Sequence, residues 1–146
     1  MKKFIFIGIG LFTICFISTY SYAEPYHKFS DQYKMCVQNE SLSNKERINC
    51  FDDENKRILT SITNDLRQFN NLECVPEEIR NNLITQIEHW FKYEKLRIRN
   101  ELLIAQYKGG GSYQVMPALH EQVERTLYMQ DWFTDIMKDF KRIFCN

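Results

Sequence analysis

From residue 30 onward, apolar residues recur at steps of three and four rather than two, the spacing of helices that each bury one face. Ser30 is placed to cap a short first helix through about Asn39, carrying Tyr33, Cys36 and Val37. The run "SLSN" breaks it, and Ser43 with Glu46 makes the S-x-x-E capping box of a second helix reaching about Phe69. Its apolar stripe is Ile48, Phe51, Ile58, Ile62, Leu66 and Phe69. After "NNLECVPEE", Pro76 suits the first position of a third helix, with Glu77 and Glu78 at its positive end. That helix extends to Tyr107, and Ile79, Leu83, Ile87, Trp90, Phe91, Ile98, Leu102 and Ala105 are predicted to face inward. A fourth helix is predicted from Pro117 to about Ile143, on a stripe of Val123, Leu127, Phe133, Met137, Phe140 and Phe144. The expected fold is all-α: a small disulfide-stapled antiparallel bundle of one short and three long helices, consecutive long helices lying side by side.

The start of the chain follows a different rule. Lys2 and Lys3 precede an uninterrupted apolar stretch closing on Ser21-Tyr22-Ala23, the pattern of a secretory signal peptide cut after Ala23. Ile14 stands where a lipobox before Cys15 needs a small residue, so neither a lipid nor a retained membrane anchor is expected. The mature chain is then one helical domain, residues 24–146, placed in the periplasm or secreted. Loss of Lys2 and Lys3 takes the formal charge from 0 to −2, and this mixed, nearly neutral surface has no electrostatic footprint for nucleic acid.

Export also decides the chemistry of the four cysteines left, Cys36, Cys50, Cys74 and Cys145, which are expected to form two disulfides. The helix order selects the pairing. Cys36 and Cys50 flank the first turn, whereas Cys74 and Cys145 both fall at the opposite end of the bundle. A Cys36–Cys74 bond would have to span most of the second helix, roughly 35 Å, far beyond a disulfide's reach. The prediction is Cys36–Cys50 and Cys74–Cys145.

No catalytic constellation emerges. "YKGGGSYQVMP" has glycines but neither the Lys-Ser/Thr ending nor the preceding strand of a phosphate loop. It reads as a connector in which Gly109 ends the third helix and Pro117 starts the fourth, leaving Ser112, Tyr113 and Gln114 at an exposed tip. "HEQVE" has Glu124 where a zinc helix needs its second histidine, and no metal or cofactor is assigned. "FDDEN" holds Asp52, Asp53 and Glu54, read as a solvated acidic patch rather than an acid–base pair. "EHWFKYEKLRIR" mixes acids with bases and is read as core aromatics with a solvated face. The chain is therefore expected not to be an enzyme but to bind a protein. Asp52, Asp53 and Glu54 start near the same bundle end as Ser112, Tyr113 and Gln114, and together they are the candidate contact for a cationic partner.

The order of these signals resembles the LprI-type lysozyme inhibitor N-terminal domain family. The pieces that carry the resemblance are "MCVQNESLSNKERINCFDDE", "HWFKY" with Trp90 and Tyr93, "GGGSY", and "QVERTL" with Arg125. Cys74 and Cys145 stand in for two cysteines which that family places after the W-x-x-Y motif and after the glycines. The resemblance implies a small exported helical protein that binds and inhibits lysozyme or a related cell-wall hydrolase. An immunity or accessory protein of a secretion or conjugation system is the alternative sharing the same export and fold.

Overall fold

The computed structural model describes residues 29–109 and 111–145, apart from the side chains of Ser112 and Tyr113. The expected signal peptide, residues 1–23, lies outside the described residues. Four helices follow one another: α1 (Asp31–Gln38), α2 (Asn44–Asn70), α3 (Glu77–Tyr107) and α4 (Ser112–Phe144). The described residues form an all-α bundle of one short and three long helices, stapled by two disulfides.

The predicted caps hold. Ser30 Oγ accepts from the Tyr33 N–H at 3.1 Å to open α1. At α2, Ser43 Oγ accepts from the Glu46 N–H at 3.3 Å while Glu46 Oε2 accepts from the Ser43 N–H at 2.8 Å, closing the box in both directions. Gly109 has φ +74°, the left-handed conformation that ends α3 without a Cβ penalty.

Two boundaries differ from expectation: Pro76 is the cap of α3, which starts at Glu77, rather than its first residue. α4 starts at Ser112 with Gly111 as its cap, so Pro117 lies inside the helix rather than at its first position. Val115 and Met116, upstream of the proline, pack against the core, and their burial carries the helix through the missing N–H of Pro117. Ser112, Tyr113 and Gln114 accordingly form the first turn of α4 instead of a loop tip.

α2 and α4 run parallel and pack most extensively, α3 lies antiparallel against α4, and α2 touches α3 least. Ile58, Ile62, Phe69, Ile87, Val123, Leu127 and Phe133 are fully buried between them. Two polar pairs set the α2–α4 register within this seam: Thr126 Oγ1 donates to Asn55 Oδ1 at 2.9 Å, and Gln130 Nε2 donates to Ser61 Oγ at 2.7 Å. A one-residue slip would break both pairs and leave the buried Gln130 amide without its acceptor, which costs more than the bond itself contributes. The staples close opposite ends: Cys36–Cys50 has a Cα separation of 5.9 Å and Cys74–Cys145 one of 5.2 Å. Both expected pairings are present. Among the described residues, no helix is long and apolar enough to cross a membrane.

Candidate binding surface on α3 and α4

The acidic cluster predicted at the start of α2 divides. Asp52 and Asp53 are exposed, but Glu54 is buried, because the helical turn that seats Phe51 and Ile58 in the core carries position 54 inward with them. Glu54 accepts from the Ser30 N–H at 2.8 Å, the Ser30 hydroxyl at 2.7 Å, Arg57 Nε at 2.9 Å and Arg57 Nη2 at 2.8 Å. Burial alone would raise its carboxyl, but these donors, Arg57 foremost, outweigh it and hold Glu54 below the usual carboxylate range. Glu54 is thus the bolt between α1 and α2 and is unavailable to a partner.

The second half of the predicted site is also placed differently. Gln114 lines a cleft of about 440 Å³ between the end of α3 and the start of α4, with Ile104, Lys108, Pro117 and Glu121. The pairing of Asn55 with Thr126 puts Gln114 level with the beginning of α2. Asp52 and Asp53 therefore lie roughly 14 Å further along the bundle axis, at the helical rise. They do not form one tip with Gln114. The side chains of Ser112 and Tyr113 lie outside the described residues.

The histidine of "HEQVE" has a structural setting. His120 Nδ1 lies 2.7 Å from the Tyr33 hydroxyl, and its ring stacks against Tyr33 with Phe29 and Phe51 alongside. Its other nitrogen is 3.5 Å from Glu124. Burial, with the charges of Glu54 and Glu124 behind it, pushes the Tyr33 phenol well above its ordinary range, so Tyr33 stays neutral. Among the described residues no cluster of His, Cys, Asp or Glu is arranged to hold a metal ion.

A second polar network joins α3 to the adjoining face of α4. Arg125, on α4, reaches α3: its Nε donates to Glu94 Oε1 and Oε2 at 3.1 and 3.0 Å, and its Nη2 to Glu101 Oε2 at 3.1 Å. Its Nη1 lies 3.4 Å from Glu121. Arg97 Nε donates to Glu101 Oε1 at 2.8 Å, which raises the Arg97 guanidinium further above neutral. This network, with Glu94 buried at its centre, floors a groove of about 370 Å³ walled by Trp90, Tyr93, Tyr128 and Trp132. Trp90 is half-buried at the groove's edge rather than fully inward. The inward position on that turn belongs to Glu94.

Beside the groove, Tyr93, Leu96, Leu103, Ile104 and Tyr107 are all exposed, Tyr107 by 92 %. Leu96, Leu103 and Tyr107 lie on the outer side of α3, while Tyr93 and Ile104 border its junction with α4. Asn100, Leu103, Ile104, Tyr107 and Lys108 line a shallow depression of about 610 Å³ there. This surface went unassigned in the sequence because the inward stripe already accounted for α3. The available signal was a second set of apolar residues, out of phase with the first.

Comparison of the chain with family models, with curated proteins and with solved structures finds no match in any of the three.

Proposed function

We propose that the protein is an exported binding module that engages a protein partner through the outer face of α3 and the adjoining α3–α4 groove. The observation that carries this reading is the exposure of Tyr93, Leu96, Leu103, Ile104 and Tyr107 close together along α3. Five such side chains make an apolar patch on the order of 500 Å², in the range where the largest patch of a monomer is often functional. The two disulfides agree with an oxidising compartment, since such bonds persist outside the reducing cytosol. Binding rather than catalysis is proposed because the polar side chains with described partners, Glu54, His120 and Arg125 among them, join the helices of the bundle to one another.

Within this reading, inhibition of lysozyme or a related cell-wall hydrolase rests on the sequence resemblance and on the anionic pair Asp52 and Asp53. The bases bordering the exposed apolar face support a partner other than a cationic hydrolase, which the immunity or accessory role allows. The two readings separate in one experiment. The oxidised protein, Leu103→Asp, and the double variant Asp52→Asn/Asp53→Asn are compared for lysozyme inhibition and for capture of envelope proteins. The α3 reading expects no inhibition by any of them and one captured partner lost only with Leu103→Asp. Inhibition that survives Leu103→Asp and disappears with the asparagine variant would overturn it in favour of the hydrolase inhibitor.

A further inference from the structure

The exposed residues of α3 are not scattered. Tyr93, Leu96, Asn100, Leu103 and Tyr107 follow one another at steps of three, four, three and four, the a/d spacing of a coiled-coil seam. All five are exposed, and the helix is unbroken from Glu77 to Tyr107. α3 therefore has two seams: an inner one through Leu83, Ile87, Glu94 and Ala105 against the bundle, and an outer one with no helix on it among the described residues.

Charge around the outer seam is one-sided. On the other helices, Lys34, Lys56, Lys138 and Arg142 each pair with an aspartate three residues earlier. Lys92 and Arg99 flank the seam, Lys108 lines the depression beside it and Lys95 lies one step further round the helix; all four are exposed and have no ion pair among the described residues. The acids on this stretch, Glu94 and Glu101, are already engaged by Arg125 and Arg97. Four uncompensated cations beside an apolar seam disfavour a second copy of the same surface, which would bring bases against bases.

Resting on the binding function proposed above, we infer that this face receives an amphipathic helix from a partner protein, laid along α3, with its own apolar seam flanked by Asp or Glu. Asn100 decides between a helix and an anionic membrane surface. In the middle of a face inserted into lipid, its amide would lose water and gain no partner. In the middle of a helix–helix seam it is the polar a-position residue that fixes register, provided the opposing helix supplies a polar group at the same layer.

The test uses the full oxidised protein and a fluorescent designed helical peptide of about three heptads, with Leu at a and d, one Asn at the central a, and Glu at every e and g position. Like charges at e and g keep the peptide from pairing with itself. A matched peptide has Lys at e and g, and vesicles of mixed zwitterionic and anionic phospholipid form the third arm. Expected are saturable binding of the Glu peptide at least tenfold tighter than the Lys peptide, weakening as salt rises, and at least tenfold loss in Leu103→Asp. Because Leu103 is exposed, that variant should melt with the wild type; Leu96→Lys provides a second disruption of the same seam. No saturable binding of the Glu peptide, equal binding of both peptides, preferential vesicle binding, or a concentration-dependent dimer of the protein through this face would each overturn the inference. If the Glu peptide fails while Leu103→Asp still abolishes capture of the envelope partner, the binding function stands and only the acidic-helix inference falls.

Discussion

Replacing Arg125 by Met removes the cation that joins α4 to α3 while keeping most of the side-chain volume. Glu94 would lose the guanidinium that donates to both of its carboxylate oxygens and would be left with Arg97, 4.0 Å away. Its side chain is only 7 % exposed, so water cannot replace the lost donors. Removing one partner of a buried ion pair costs about 3–5 kcal/mol, and the distant Arg97 places this case at the lower end, about 3 kcal/mol. Glu101 and Glu121 are better hydrated and add little. Urea unfolding of the oxidised protein reads the cost as a shift in midpoint at unchanged slope. The double variant Glu94→Leu/Arg125→Met, with no buried charge left unpaired, should regain most of the loss and end within about 1 kcal/mol of the wild type. A cost below about 1 kcal/mol for Arg125→Met alone, the level of a surface pair, would refute the claim that Glu94 is desolvated by the fold.

Glu54→Gln should flatten the acid limb of the stability curve. Its folded carboxyl is held below the unfolded value, so it contributes stability above the unfolded pKa that is lost as pH falls through the folded one; an unchanged acid limb in pH-dependent melts would contradict this. Opening the Cys74–Cys145 bond, which spans 71 residues, should cost about 4 kcal/mol, against about 3 for Cys36–Cys50, which spans 14. Paired Cys→Ser variants unfolded in urea check the order. Phe69→Ala should cost about 3–5 kcal/mol, being fully buried against Phe133 and Phe140. Trp90→Ala, at the groove edge, should cost about half as much, and equal losses would show Trp90 to be a core residue after all.

The parts of the fold legible in the sequence are those governed by local chemistry. Ser30, the Ser43–Glu46 box and Gly109 act on their own helix ends, so their residue types sufficed. The cysteine pairing followed because helix order alone decides which ends meet. The failures are tertiary. Pro117 marked a helix start by its backbone chemistry, yet burial of Val115 and Met116 carried the helix five residues upstream. Glu54 looked like one of three surface acids until Ser30 and Arg57 were seen to satisfy it. Glu94 took the inward place expected of Trp90 because Arg125, thirty-one residues away, neutralises it. Composition cannot show a charge finding its partner across helices. The outer seam of α3 was written in the sequence, but two apolar stripes on one helix look like noise until the structure shows that only one is covered.

The most direct test of the account is a nuclear magnetic resonance titration of the uniformly labelled, oxidised protein with the Glu-flanked helical peptide, following every backbone amide. The account predicts that shifts concentrate between residues 92 and 108, along the stretch that holds Tyr93, Leu96, Asn100, Leu103 and Tyr107, and leave Asp52 and Asp53 unmoved. Shifts centred on Asp52 and Asp53, or none on α3 at saturating peptide, would contradict it.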